Sequence, residues 1–276
     1  MQFKSKHLLT MLVVAGISAA ALPARAATFA AGDLLLGFRA TGGTGSSSNL
    51  IVNLGQADTV FRDATSNIAS VVDIGSLLTA TYGSNWADRS DLFWGVVGVR
   101  TASSLNSSVD GDPQRTNYVG APQTTYNPGT QQSTAWNYPG STSRGDIATA
   151  IVDLGIMYAA ASGTTSAVVD TTTPNSWTEQ IVTDSNFKLF SPIEASSASG
   201  IDATGLDLYR ILHTTTGASP TGTVGVGSWE GTFKISSSGV VGFDVAAAAV
   251  PEPSRAILAA LGLGGLLLRR RRPAKA

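Results

Sequence analysis

The clearest structural signal in this chain is Trp229-Glu230-Gly231-Thr232-Phe233-Lys234-Ile235, followed directly by Ser236-Ser237-Ser238-Gly239 and by the apolar residues 240–245. Bulky apolar and polar residues alternate along the first segment, which is the period of a β-strand with one buried face. We expect Trp229, Phe233 and Ile235 on one face, and Glu230, Thr232 and Lys234 on the other. The serine and glycine residues that follow are typical of a hairpin loop. The segment therefore predicts a β-hairpin at the closing edge of a sheet.

The rest of the body repeats this pattern. Short apolar stretches alternate with clusters of glycine, serine, threonine, asparagine and aspartate, which favours β-structure. Five further stretches are predicted strands: residues 33–39, 50–54, 92–100, 166–169 and 206–212. We therefore predict a mainly β fold, a β-sandwich or a jelly-roll-like arrangement, with two or three short helices.

Three segments carry helical signals. In the first, apolar residues recur at helical spacing, with Ser66 as a candidate N-cap and Gly83 as a C-cap; they are Ile68, Val71, Val72, Gly75, Leu78 and Tyr82. The second runs from near Ser143 to before Gly163. The third is the capping box Ser176-Trp177-Thr178-Glu179, which predicts a short helix toward Thr183.

The polar stretch from 106 to 143 contains four prolines and is long for a structureless loop inside a compact domain. Two interpretations stay open, short edge strands or a functional loop. Four aromatic residues lie here without core periodicity: Tyr118, Tyr126, Trp136 and Tyr138. They are candidates for stacking on sugars, with packing of the loop as the alternative. Trp86, Trp94 and Trp229 lie in or beside regular elements and are predicted core residues.

The N-terminus has the three parts of a secretory signal peptide. Lys4 and Lys6 precede an apolar run over residues 8–22, and Ala24 and Ala26 supply the small residues of a signal peptidase site. We predict cleavage after Ala26 by signal peptidase and export by the general secretory route. The alternatives are an uncleaved anchor and a buried helix.

The C-terminus combines Pro251-Glu252-Pro253, an apolar run over residues 256–268 and the cluster Arg269-Arg270-Arg271-Arg272. The 13 apolar residues give roughly 20 Å of helix, whereas the hydrocarbon core of a membrane is about 30 Å thick. A helix that crosses the membrane must therefore include flanking residues from 254 onward. The arginines are expected to stay in the cytoplasm, which places the rest of the chain outside. The alternative is a plain single-pass tail anchor.

This tail resembles the PEP-CTERM sorting signal, which is also catalogued as an ice-binding protein C-terminal domain. The resemblance covers about a tenth of the chain and implies recognition of Pro251, Glu252, Pro253 and the arginine cluster by an exosortase-type membrane protease. It also implies a Gram-negative bacterium that makes extracellular polysaccharide, as in a biofilm. The expected organisation is a signal peptide at 1–26, an exported domain at 27–249 and a sorting signal at 250–272. The expected localisation is export across the inner membrane, transient anchoring by helix 254–268, and then the cell surface or the extracellular space.

Charge and composition exclude several function classes. Nine of the 18 lysine and arginine residues lie in the two terminal signals, whereas 18 of the 19 acidic residues lie in the exported part, which therefore carries a formal charge of −9. Such an acidic surface disfavours nucleic acid as a partner. The chain has no cysteine, which excludes thiolate nucleophiles, thiolate metal sites and haem attachment through C-x-x-C-H.

No intact catalytic motif is present, so we predict no catalytic residues and no cofactor. His213 is the single histidine of the exported part, which argues against a histidine-dependent hydrolase and against zinc. Asp110-Gly111-Asp112 offers hard oxygen ligands for calcium, with Asp88 and Asp91 near a second polar turn. The alternative for Asp110 and Asp112 is a solvated Asp-Gly turn.

These observations favour a structural, adhesive or carbohydrate-binding protein of the extracellular polysaccharide matrix. The alternative is a secreted polysaccharide hydrolase that uses paired Asp and Glu residues. Only three glutamates lie outside the tail: Glu179, Glu194 and Glu230.

Overall fold

The computed structural model describes residues 28–100, 112–137, 139–161, 165–183, 185–212 and 226–246. Ten strands are present: β1 (Asp33–Ala40), β2 (Ser48–Gln56), β3 (Ile68–Asp73), β4 (Leu92–Val99), β5 (Asn117–Pro122), β6 (Ser166–Asp170), β7 (Ala195–Ser196), β8 (Gly205–Ile211), β9 (Ser228–Ile235) and β10 (Val240–Asp244). The two α-helices are α1 (Gly75–Tyr82) and α2 (Ser141–Ala161). Shorter helical turns occur at Ala57–Phe61, Trp86–Asp88, Thr178–Thr183, Ser185–Phe190 and Ile201–Ala203.

All ten strands belong to one antiparallel sheet. Nine of them follow the order β3-β10-β9-β8-β5-β4-β1-β2-β6, and β7 pairs with β4 beside this path. The sheet curls into a half-barrel, and bulges interrupt the registers of β1 with β2, β8 with β9 and β10 with β3. Bulges increase local twist and bend the bulged strand, which favours such curling. The mainly β prediction is confirmed, but the strands form one continuous sheet rather than the two sheets of a sandwich or jelly roll.

The inner face of the sheet holds the larger apolar core. Strands from both halves of the order contribute to it, with Leu36 of β1 and Val241 of β10 in the same cluster. The Phe61 ring is tilted against that of Phe233 and edge-on to that of Phe243, with centroid distances of 5.1 and 5.2 Å. Residues that are far apart in sequence therefore bury one another, and this shared burial stabilises the curled sheet.

The outer face is divided into an apolar and a polar half. Helix α2 and Trp177 cover the half formed by β1, β2, β4, β5 and β6. Trp177 lies on a cross-strand glycine pair, because Gly37 and Gly95 are in register. A Cβ atom on Gly37 would lie 2.0 Å from the Trp177 ring. The polar half, on β8 and β9, lies under the segment 123–137.

All seven predicted strands are present, at bounds that differ from the predicted ones by two residues or fewer. The predicted helix that begins near Ser143 is α2. The capping box is confirmed at its N-cap, since the backbone N–H of Glu179 donates to Ser176 Oγ at 3.3 Å, and a short π-helical segment follows.

The first helix prediction is wrong over its N-terminal half. Residues Ile68–Asp73 form the edge strand β3, in which Val72 pairs with Val241 of β10. The apolar spacing of this segment fits a helix as well as a strand, but β-branched residues pack well on a sheet, and β10 supplies the partner. Only Gly75–Tyr82 is helical, and Gly83 ends it with φ +89° as predicted.

The proline-rich stretch contains one central strand rather than short edge strands, and residues 123–137 after it form a loop. β5 lies between β4 and β8, and Val119 is opposite both Val97 and Tyr209. Its proline stands at the last position, Pro122, where the lost N–H interrupts the ladder least.

Trp229 is not on the face that strict alternation predicts. Trp229 pairs with Tyr209 and Gly231 with Leu208, so Glu230 is an extra residue in β9. This bulge moves Trp229 to the outer face with Thr232 and Lys234, whereas Phe233 and Ile235 lie in the inner core as predicted. Trp86 and Trp94 are buried in that core, also as predicted.

Within the described ranges, no helix has the length and apolarity needed to cross a membrane. The predicted signal peptide with Ala24 and Ala26, the sorting signal with Pro251, Glu252 and Pro253, the hydrophobic helix 254–268 and Arg269–Arg272 lie outside the described residues.

Candidate functional site

Asp112, one of the two calcium candidates, lies in a buried ion-pair cluster. Its carboxylate accepts from Tyr118 Oη and from Arg210 Nε, both at 2.5 Å, and lies 3.2 Å from Arg62 Nη1. Two guanidinium groups neutralise this carboxylate, a setting that disfavours a cation there. Burial, with the hydrogen bond to Asp112, raises the pKa of the Tyr118 phenol. Asp110 and His213 lie outside the described residues.

The second polar turn is also built from an ion pair. Arg89 Nε and Nη2 donate to the two Asp91 oxygens at 2.9 and 2.7 Å, and this contact lowers the pKa of Asp91. Arg89 also donates to the carbonyl oxygens of Gly42 and Tyr82. Across the described parts of the chain, no three His, Asp or Glu side chains converge in a way that could hold a metal ion.

Asp207 of β8 is the centre of the polar half of the outer face. The residue is fully buried. Its Oδ1 accepts from Gln123 Nε2, Thr232 Oγ1 and Trp229 Nε1 at 2.8, 2.8 and 3.1 Å. Its Oδ2 accepts from the backbone N–H groups of Gln132 and Ser133 and from Ser133 Oγ, each at 2.8 Å. One carboxylate thus fastens the segment 123–133 to the sheet.

Gln123 extends this network into a turn. Its Nε2 also donates to the carbonyl oxygen of Thr130 at 3.0 Å, and its Oε1 accepts the backbone N–H of Asn127 at 3.0 Å. The turn that these bonds hold carries Tyr126. A side chain that bonds Asp207 at one end therefore fixes the position of an aromatic residue at the other.

Tyr126 borders a cavity of about 280 Å³ on the outer face of β9 and β10. We call this cavity the Lys234 trough; its lining residues are Ala69, Tyr126, Asp202, Lys234, Ile235, Ser236, Val240 and Gly242. The Tyr126 ring is half-buried, and burial raises the pKa of its phenol. The trough thus combines an aromatic ring with a carboxylate, an ammonium group and a hydroxyl group.

Two glycines lie on either side of Lys234 in the sheet, and one of them, Gly242, lines the trough. Gly205 of β8 and Gly242 of β10 both lie opposite Lys234, so the lysine stands between two residues that have no side chain. A Cβ atom on Gly205 would lie 3.2 Å from the Tyr126 ring, and one on Gly242 would lie 3.0 Å from Lys234 Cε. The glycines therefore give Tyr126 and the lysine stem their space. Lys234 Nζ forms an ion pair with Asp244 Oδ2 at 2.6 Å.

The other two described aromatic candidates, Tyr118 and Trp136, have packing roles. Tyr118 is buried in the inner core. Trp136 packs edge-on against Phe190 at 5.4 Å and donates its indole N–H to the carbonyl oxygen of Gly120. Tyr138 lies outside the described residues. Tyr126, in contrast, borders the Lys234 trough.

The three glutamates have different environments. Glu179 is exposed, and Glu194 is paired with Arg39. Glu230, the extra residue of the β9 bulge, accepts from Ser228 Oγ at 2.7 Å, and burial raises the pKa of its carboxyl.

Sequence reasoning identified Tyr126 but not Lys234, Asp202 or Ser236. The available signal was Gly242 inside a predicted strand, since a glycine there often marks a close approach of another group. The row Gly205–Lys234–Gly242 depends on register and could not be derived from local pattern. Comparison of this chain with protein-family models, with curated proteins and with solved structures finds no match.

Proposed function

We propose that this chain is an exported protein of the cell envelope or extracellular matrix that binds polysaccharide through the Lys234 trough. The observation that carries the proposal is the half-buried Tyr126 ring beside a lysine flanked by two cross-strand glycines. Sugars present apolar C–H faces and hydroxyl edges, so they suit a site that offers one ring and several hydrogen-bonding groups.

The polar groups of the trough have complementary roles. The exposed Asp202 carboxylate accepts hydrogen bonds from ligand hydroxyl groups, and Ser236 both donates and accepts. An ammonium group has three donors, so Lys234 can bond a ligand while it keeps its ion pair with Asp244. These groups bind a polyol without a reactive nucleophile or a metal, which fits a structural or adhesive role.

The export route is part of the proposal. Signal peptidase cleaves after Ala26, an exosortase-type membrane protease recognises Pro251, Glu252, Pro253 and the arginine cluster, and helix 254–268 holds the chain in the membrane before processing. The support from the fold is positional: β1 begins at Asp33 and β10 ends at Asp244, so the described sheet lies entirely between the two signals. The protein then remains at the cell surface or is released.

Intact mass of the protein outside the cytoplasm tests the route. The expected mass corresponds to a chain that begins at residue 27 and has lost or exchanged its tail after the Pro-Glu-Pro motif. Replacing Ala24 and Ala26 by leucine should retain the signal peptide. A reporter placed between the two signals that stays in the cytoplasm would contradict the export proposal.

Affinity electrophoresis in gels that contain extracellular polysaccharides tests the site. Retardation by at least one polysaccharide is expected. Tyr126→Ala should weaken the binding roughly fivefold, because one stacked ring contributes about 1 kcal/mol. The control is Leu189→Ala, which removes an exposed apolar side chain outside the trough. Equal retardation of Tyr126→Ala and the unmodified protein would refute the site.

A hydrolase that uses Asp or Glu is the competing proposal, and Glu230 is the observation that favours it. A general acid in glycoside hydrolysis needs a raised pKa, and burial raises that of Glu230. Release of reducing sugar that Glu230→Gln abolishes would support the enzyme. Binding without such release rejects it.

A further inference from the structure

A second cavity, separate from the Lys234 trough, lies between the sheet and the chain segments 181–182 and 187–194. Its volume is about 230 Å³. We call it the Arg39 cavity. Apolar side chains form most of its wall, and among them are Phe93, Val182 and Pro192. Concave, mainly apolar clefts with a few polar groups are the usual form of a small-molecule site.

The polar part of the Arg39 cavity is held rigidly. Arg39 Nε and Nη2 donate to Glu194 in a bidentate pair, with distances of 2.6 to 3.0 Å. The guanidinium carbon lies 4.8 Å from the centre of the Phe93 ring, and Trp177 Nε1 donates to Glu194 Oε1 at 2.8 Å. The Glu194 side chain is 8% exposed and that of Arg39 is 17% exposed. A buried array of this kind is fixed before any ligand arrives.

Charge and exposure at the mouth of the cavity indicate the ligand. The charged residues that line the cavity are Arg39, Lys188 and Glu194, so the lining carries two positive charges and one negative charge. The Lys188 side chain is exposed to solvent. Val182, which also lines the cavity, is 38% exposed and so provides apolar surface at the mouth. The local excess of positive charge contrasts with the acidic surface of the exported part.

We infer that the Arg39 cavity binds a small apolar molecule that carries one carboxylate, with its apolar part inside the cavity and its carboxylate at Lys188. At about 30 Å³ per water-sized group, the cavity holds roughly eight such groups. A medium-chain fatty acid of about eight carbons matches this size. The inference stands independently of the polysaccharide proposal, because no residue lines both cavities.

Octanoate is the probe, and the indole N–H signals of the purified full-length chain are the readout. Trp177 reports on the cavity through its bond to Glu194, whereas Trp94 bonds Thr204 and packs in the inner core, so it serves as an internal reference. Titration with octanoate should shift the Trp177 signal with saturation, at a Kd of about 1 mM or below. The Trp94 signal should not move. Absence of a saturable shift at Trp177 overturns the inference.

Two further ligands test the ligand class. 1-Octanol keeps the chain but removes the charge, and butanoate keeps the charge but removes half the chain. Both should bind at least fivefold more weakly than octanoate. If octanol binds as tightly as octanoate, the ligand does not need a carboxylate. If butanoate binds as tightly as octanoate, the ligand does not need the longer apolar chain.

Three variants locate the site. Val182→Ser should weaken octanoate binding at least threefold, whereas Val168→Ser, which changes an equally branched and 52% exposed residue on β6, should leave it unchanged. Lys188→Gln, a change at an exposed position, should remove the preference for octanoate over octanol without altering octanol binding. If Lys188→Gln preserves that preference, or if Val168→Ser weakens octanoate as much as Val182→Ser, the cavity is not the site.

Discussion

Gln123 Nε2 lies 2.8 Å from Oδ1 of the buried Asp207, and this hydrogen bond connects the centre of the sheet to the turn that carries Tyr126. The same amide group donates to Thr130 and accepts from Asn127. The position of the aromatic ring in the Lys234 trough therefore depends on a carboxylate that does not line the trough itself.

Asp207→Asn should destabilise the fold by about 3 kcal/mol. The two carboxylate oxygens together accept six hydrogen bonds, and asparagine replaces one of these oxygens by an NH2 group, which cannot accept them. Denaturant unfolding measures the loss. Hydrogen exchange should also become faster at the amides of Gln132 and Ser133, which donate to Oδ2. Unchanged protection of these two amides would contradict the role assigned to Asp207.

Asp112→Asn should cost about 3 kcal/mol or more, because removal of one charge leaves Arg62 and Arg210 without their shared carboxylate partner. The control is Asp202→Asn, which changes an exposed aspartate. Thermal and denaturant unfolding give the difference. If the two variants are equally stable, the cluster does not stabilise the fold.

Gly37→Ala should destabilise the protein by about 3 kcal/mol, because its Cβ atom would lie 2.0 Å from the Trp177 ring and the buried ring has little room to move. Gly140→Ala is the matched control, since a Cβ atom there meets nothing within 4 Å. Unfolding midpoints in denaturant measure the difference in stability between Gly37→Ala and Gly140→Ala. A tolerated alanine at Gly37 would show that Trp177 does not rest on this glycine pair.

Glu230→Gln should stabilise the protein at pH 7 relative to the unmodified chain, with a gain that fades as the pH falls. Burial raises the folded-state pKa of this carboxyl above its ordinary value of 4.5, so the folded protein binds the proton more tightly than the unfolded chain. The contribution of Glu230 is thus favourable at low pH and is lost as the pH rises through the folded pKa. Glutamine avoids the penalty of ionisation above that point.

Denaturant midpoints at pH 4 and pH 7 measure this effect for Glu230→Gln and for the control Glu179→Gln, in which the glutamate is exposed. The control should show no comparable gain at pH 7. A gain for Glu230→Gln that is larger at pH 4 than at pH 7 would reverse the predicted sign.

Local sequence determined much of the secondary structure. Strand β9 and its hairpin, helix α2 and the end of α1 at Gly83 follow from periodicity, caps and turn residues, which act over a few neighbouring positions. The formal charge of −9 over residues 27–249 is also a property of the sequence itself, as are the terminal patterns that predict a signal peptide and a sorting signal.

The candidate sites were only partly predictable. Tyr126 is an aromatic residue in a polar stretch, but Tyr118 has the same sequence context and lies in the core. The Arg39–Glu194 pair joins residues 155 positions apart, and no local pattern indicates that they meet.

Tertiary structure alone decided the rest. Residues 68–73 are extended because they pair with the edge of β10. The bulge at Glu230 places Trp229 on the outer face, and Asp112 forms ion pairs with the distant Arg62 and Arg210. Short-range preferences set which segments are extended or helical. Which strand edges pair and which charges meet depends on the burial and hydrogen bonding of distant segments, and only the folded chain brings these together.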